Sequence, residues 1–136
     1  MNIVLDTNCL LMSLSPRSPY RGVWQAFLCG KYTLCVSNEI IEEYAEVMAR
    51  NISRNVSEAI IYAILTRSNV LRVDPHFSFG LISIDVDDNK FVDCAIVSNA
   101  RCIVTEDKHF NVLKTIPFPR IDVMGIDSFM NLLAKK

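Results

Sequence analysis

The stretch Ile3-Val4-Leu5-Asp6-Thr7-Asn8 decides how the rest of the chain is read. Three apolar residues run straight into a carboxylate and two more polar side chains, the pattern of a short buried strand that delivers an acid at its carboxyl end. The pattern returns late in the chain as Ile103-Val104-Thr105-Glu106-Asp107. Ligands of open parallel sheets bind outside the carboxyl ends of the strands, where loops and helix amino termini gather. Asp6 and Asp107 are therefore expected to meet, although most of the chain separates them.

Outward from these two strands, helical and strand patterns alternate. A loop with two prolines leads into a helix from about Tyr20 to Cys29, with Gly30 placed to close it as the C′ residue. Tyr32 to Val36 is β-branched and aromatic enough for a strand, and Ser37 has the side chain of an N-cap for a helix running to about Arg50. A second helix follows Ser57, a strand runs from Val70 to Val73, and residues 76 to 84 carry no pattern that assigns them. Asp85-Val86-Asp87-Asp88 leads into a helix from about Asn89 to Ala100, apolar nearly all round; a strand around Ile121 to Met124 and a helix after Asp127 finish the chain. This alternation predicts an α/β fold: a single three-layer domain over residues 1–136, with a central, mostly parallel sheet flanked by helices.

Composition agrees. The 136 residues are 51% apolar, ample for one core, with only 4 glycines and 5 prolines, so neither a linker nor a second domain is expected. Apolar runs fall far short of the ~20 residues that span a bilayer, and no basic leader precedes Ile3, so a soluble, cytoplasmic protein without membrane partners is the expectation. Five cysteines, Cys9, Cys29, Cys35, Cys94 and Cys102, are widely spaced and lack a C-x-x-C pair, as suits reduced core thiols. With no cluster of His and Cys in the sequence, zinc is not the expected metal. A net charge of −1 gives no global pull on a polyanion. A nucleic acid would be held locally, with Arg17, Arg21 and Lys108, which His109 follows, as the candidates.

Helical geometry narrows the remaining acids. In the 38–50 helix the apolar stripe is centred near Tyr44; Glu43 lies about 100° from that centre and borders the core, while Glu39, Glu42 and Glu46 lie roughly 140 to 160° away. In the 89–100 helix Asp88 projects with Phe91, Val92 and Ala95, and Asp93 leaves about 140° from it. Asp88 is the favoured third acid and Asp93 the alternative, since a helix buried on several sides can present either. Asp6, Glu43, Asp88 and Asp107 in one site would repel one another and stay partly protonated unless a cation neutralised them, and oxygen ligands suit Mg²⁺ or Mn²⁺. Thr7, Asn8 and Thr105 are placed to orient Asp6 and Asp107.

These residues carry a family resemblance. Ile3 to Leu11 resembles the first strand and Asp-Thr-Asn motif of PIN-domain proteins, and Ser37 followed six residues later by Glu43 resembles the Ser-to-Glu motif of their early helix. Asp87-Asp88-Asn89-Lys90-Phe91-Val92-Asp93-Cys94-Ala95 resembles the acidic helix start of one subgroup, and Ile103 to Asp107 is similar to the family's Thr-x-Asp. The resemblance runs from residue 3 to about residue 126, with the motifs in the family's order. It implies a Mg²⁺- or Mn²⁺-dependent endoribonuclease, like the VapC-type toxins of bacterial toxin–antitoxin pairs. RNA would be the substrate and an antitoxin the cognate partner, and a homo-oligomer of two or more copies is expected. Asp6 and Asp107 would be the central ligands, completed by Glu43 and Asp88 or Asp93, directly or through water.

Other readings fit part of the pattern. A phosphatase of the haloacid dehalogenase type also opens with a strand and an aspartate, but wants a second Asp two residues on, where Asn8 stands. A phospho-receiver, or an inactive PIN-like interaction module, would keep the sheet without the chemistry. A receiver wants a paired acid at the first strand end, which is not evident, and a relic has no reason to keep all four acids.

Overall fold

In the computed structural model, which describes residues 1–82 and 86–135, Asn2–Leu5 forms β1 at the centre of a five-stranded, all-parallel sheet. The order is β3-β2-β1-β4-β5, with β2 at Thr33–Val36, β3 at Val70–Arg72, β4 at Cys102–Val104 and β5 at Val123–Met124. The three inner strands are buried on both faces, which is why Ile3-Val4-Leu5 and Cys102-Ile103-Val104 read as unbroken apolar runs rather than as alternating ones.

The helices complete the three-layer arrangement expected from the sequence. α2 (Arg21–Leu28) packs on α6 (Ile126–Ala134), where Tyr32 lies 6.1 Å from Phe27 and 5.2 Å from Phe129 between ring centres. α3 (Asn38–Asn51) packs on α4 (Arg54–Thr66) and on α5 (Asn89–Ser98), and α5 lies across β1, β2 and β4. Tyr44, buried in α3, donates its hydroxyl hydrogen bond to the Leu5 carbonyl at 2.6 Å. Phe and Tyr side chains buried this completely each contribute about 1.5–3 kcal/mol or more of burial.

Local details separate the expected elements from the observed ones. Thr7–Met12 forms a short helix, α1, where a loop was expected. Asp6, extended at φ −61° and ψ 149°, serves as its N-cap residue, and Cys9 and Leu10 turn into the core. α4 begins before Ser57, because Ser53 is its cap and accepts from the Val56 amide at 3.1 Å. Ser57 is instead buried and donates to the Ala45 carbonyl at 2.7 Å, joining α4 to α3. A stretch of 3-10 helix, Lys108–Thr115, follows Asp107.

The expected punctuation is present at two positions. Gly30 follows α2 at φ +75°, where glycine carries no steric cost, and Ser37 accepts from the Ile40 amide at 3.3 Å. Residues 76–82 form neither helix nor strand, while Ser83, Ile84 and Asp85, the first acid of the lead into α5, lie outside the described residues. Cys9, Cys35, Cys94 and Cys102 are buried free thiols and Cys29 is exposed; burial pushes Cys9 and Cys94 up to about 12. Among the described residues no helix is long and apolar enough to cross a membrane.

Candidate metal centre

β1 and β4 run side by side with Leu5 opposite Val104, and this register carries Asp6 opposite Thr105 where both strands end. The strand order reverses here, with β2 on one side of β1 and β4 on the other, which is where open parallel sheets form their ligand crevice. The Asp6 amide continues the ladder to the Val104 carbonyl at 3.0 Å. Thr105 then fixes two acids at once: its hydroxyl donates to Asp6 Oδ2 at 2.7 Å and accepts from the Asp107 amide at 3.0 Å. Asp6 is 7% exposed. Burial raises its pKa, the hydrogen bonds from Thr105 and the Thr7 amide oppose the rise, and the charges of Asp107 and Glu43 add to it.

Glu43 arrives from α3 and is half-buried, whereas Glu39, Glu42 and Glu46 on the same helix are exposed. One of its oxygens accepts from the Thr7 hydroxyl and the other from Lys90 Nζ at 2.7 Å. Burial alone would lower the Lys90 pKa, but the hydrogen bond and charge of Glu43, together with the charges of Asp87 and Glu39, outweigh it and hold the ammonium above its ordinary value. This ion pair was not legible beforehand, since it depends on α3 and α5 packing together.

Asp88 closes the 3-10 turn Val86–Asp88 that opens α5, and its side chain is 13% exposed against 33% for Asp107. His109 stands beside both. Its Nδ1 lies 3.5 Å from Asp88 Oδ2 and 3.4 Å from Asp107 Oδ1, and its backbone N–H donates to Asp107 Oδ1 at 2.9 Å. One ligand atom from each of Asp88, Asp107 and His109 fits within 4.8 Å of the others. A histidine thus stands beside the acids, where the sequence pattern pointed to carboxylates. The signal was only its place two residues beyond a strand-end acid, in a turn the sequence did not announce.

Asp93 faces elsewhere. It is buried in α5 and accepts from the Phe79 amide at 3.1 Å. Burial raises its pKa, the Phe79 amide opposes the rise, and the charge of Glu39 adds to it. A cleft of about 340 Å³ beside it is lined by Glu39, Asp74, His76 and Lys90 among others.

Of the orienting candidates, Thr7 and Thr105 contact carboxylates as described, and Asn8 is exposed. Of the basic candidates, Arg17 is exposed and Arg21 is committed to the Leu14 carbonyl, closing the loop between α1 and α2. Lys108 lines a cleft of about 230 Å³ together with Thr105, Asp107 and Lys114. Lys114 escaped the sequence reading because the 3-10 stretch brings it there.

The donor set suits a divalent cation. Carboxylates supplied by separate elements crowd one another, so that Asp6 is repelled by both Asp107 and Glu43, and a cation would relieve that repulsion.

A sheet of this order with acids gathered at its switch point defines a class of α/β protein, and sequence comparison gives the class a name. The chain belongs to the PIN domain family, whose model matches residues 2–109. That membership leaves no place for the phosphatase alternative. Two solved structures share the fold. A chain of VapBC2 from Rickettsia felis, bound to a DNA fragment from the promoter, superposes with a TM-score of 0.62 at 19% identity, covering 92% of this chain and 98% of that one. A chain of DNA-bound VapBC from Salmonella typhimurium gives 0.60 at 14% identity, covering 93% and 98%. No curated protein matches the chain at a significant level.

Proposed function

We propose that this chain is a metal-dependent endoribonuclease and the toxin of a toxin–antitoxin pair. The observation that carries the reading is the gathering of acids at the switch point, where Thr105 fixes Asp6 and Asp107 together and one ligand atom from each of Asp88, Asp107 and His109 lies within 4.8 Å of the others. Asp6, Asp88 and Asp107 would hold one or two Mg²⁺ or Mn²⁺ ions. Glu43, whose oxygens are engaged by Thr7 and Lys90, would reach them through water, and Asp93 stays outside. When bound, such an ion lowers the pKa of water and neutralises charge on phosphoryl oxygens.

The chain's own groups supply the rest. Thr105 and Thr7 hold the carboxylates in place, and Glu43 or Asp88 accepts the proton given up by the attacking water. Lys108 and Lys114 seat the flanking phosphates in the cleft beside Asp107, which localises a polyanion on a chain of net charge −1. RNA as the substrate is supported by the family resemblance. A cognate antitoxin is supported by the two solved relatives, both chains of VapBC assemblies.

Cleavage of single-stranded RNA by the purified protein tests the proposal. Activity should disappear in EDTA and return with Mn²⁺ or Mg²⁺. Cleavage that survives rigorous chelation overturns the metal dependence, and no cleavage with either ion would favour the interaction-module reading.

A further inference from the structure

We propose that His109 is a nitrogen ligand of this centre and makes it prefer Mn²⁺ to Mg²⁺; the inference rests on the metal-centre reading above. Its first support is geometric. Ligands at about 2.0–2.2 Å from a shared cation lie about 2.8–4.4 Å from one another. His109 Nδ1 is 3.5 Å from Asp88 Oδ2 and 3.4 Å from Asp107 Oδ1, with the whole trio inside 4.8 Å. A cation therefore fits among them with small adjustments of side chains.

The second support is the state of the nitrogen. Although the His109 side chain is 39% exposed, Nδ1 itself is shielded from solvent and makes no hydrogen bond. At 3.4 and 3.5 Å the carboxylate oxygens are too far for good ones. A shielded nitrogen without a hydrogen bond calls for an explanation, and an ion is among the standard ones. The ring is also held where it stands, because the His109 amide is bonded to the same Asp107 carboxylate that its Nδ1 faces.

The preference concerns these two ions alone and follows from ligand chemistry. Both suit carboxylates, but Mg²⁺ dehydrates reluctantly and holds to oxygen, whereas Mn²⁺, the first member of the divalent transition series, gains from exchanging one water for an imidazole nitrogen. The rival account makes His109 an imidazolium between two carboxylates, a built-in cation that competes with the metal.

Pulsed EPR of the full chain loaded with Mn²⁺ separates these accounts. The chain has 2 histidines, and His76 lies in the exposed part of the 76–82 segment. Nitrogen coupling should appear in the wild type and in His76→Gln, and vanish in His109→Gln. By calorimetry, His109→Gln, which offers oxygen in place of nitrogen, should lower the ratio of Mn²⁺ to Mg²⁺ affinity by about tenfold. Selective ¹⁵N-histidine labelling of His76→Gln, which keeps His109, provides the same readout without altering the site. Absence of ¹⁵N coupling there overturns the proposal, as does a His109→Gln variant that gains affinity for both ions. If Asp6→Asn abolishes Mn²⁺ binding while His109→Gln leaves spectrum and ratio unchanged, the metal centre stands and the nitrogen ligand falls. A wild type that binds no Mn²⁺ removes both.

Discussion

Asp88 and Asp93 stand five residues apart on one segment, and the fold surrounds them differently. Asp88 faces Asp107 and His109 at the carboxyl ends of the strands, so its negative charge is gathered with other negative charge. Asp93 faces the Phe79 amide, a donor within the chain itself. Both are largely withdrawn from water. The difference teaches that burial says little about what a carboxylate is for, and that its immediate partners say much more. Asp88 belongs to a cluster of ligand-type side chains at the switch point, whereas the Asp93 carboxylate ties α5 to the 76–82 segment through the Phe79 amide.

The largest effect should come from Asp6, which belongs with Asp88 in this contrast. Asp6→Asn is expected to reduce RNA cleavage by about 10²–10³-fold or more, on the scale of losing a principal charge-stabilising group. It should do so without loss of stability in the absence of metal. The sign follows from the raised pKa: ionising Asp6 is harder in the folded chain than in the unfolded one, so above the ordinary carboxylate range its charge opposes folding, and an amide removes that cost. Thermal melts in EDTA check this, and a clear fall in melting temperature would overturn it.

Next in size is the direct exchange of roles. Asp88→Asn should weaken Mn²⁺ binding by about 10–100-fold in calorimetry while Asp93→Asn leaves it unchanged. Equal losses would erase the contrast and bring Asp93 into the centre.

Stability should then report the other side of the comparison. Asp93→Ala removes the acceptor of the Phe79 amide, which sits in an exposed stretch, and should cost about 0.5–1.5 kcal/mol in urea unfolding, whereas Asp93→Asn keeps an acceptor and should cost less. The smallest effect is expected at Lys90→Met, which breaks the partly exposed pair with Glu43 for about 1 kcal/mol or less. Its signature should be a changed metal affinity, because Glu43 loses a competing cation.

What the sequence made legible follows physical range. Strand ends and helix faces are local, so the pairing of Asp6 with the Thr105–Asp107 end and the half-buried position of Glu43 among exposed glutamates could be reasoned out from periodicity. The α/β architecture came from the same source. Features set by packing between distant elements were not available in this way. Lys90 meets Glu43 only because α5 lies against α3, and His109 meets Asp88 only because a 3-10 turn follows β4. Asp6-Thr7-Asn8 has the composition of a turn, and Thr7–Met12 is too short for its periodicity to tell the helix α1 from a loop. Ser57 has the side chain of a helix cap, yet Ser53 takes that place and Ser57 spends its hydroxyl on the neighbouring helix.

The Tyr44 hydroxyl rests on the Leu5 carbonyl, one residue before Asp6, and Tyr44 itself adjoins Glu43. A buried phenol therefore rivets the helix carrying one acid to the strand carrying another. α3 has no freedom to slide without orphaning a carbonyl at the heart of the sheet, so the spacing of Glu43 and Asp6 is inherited from the core and needs no hinge, lid or closing motion. Amide protons of β1 and α3 should then exchange together, in the same cooperative opening, and competence at the acids and integrity of the core become a single equilibrium.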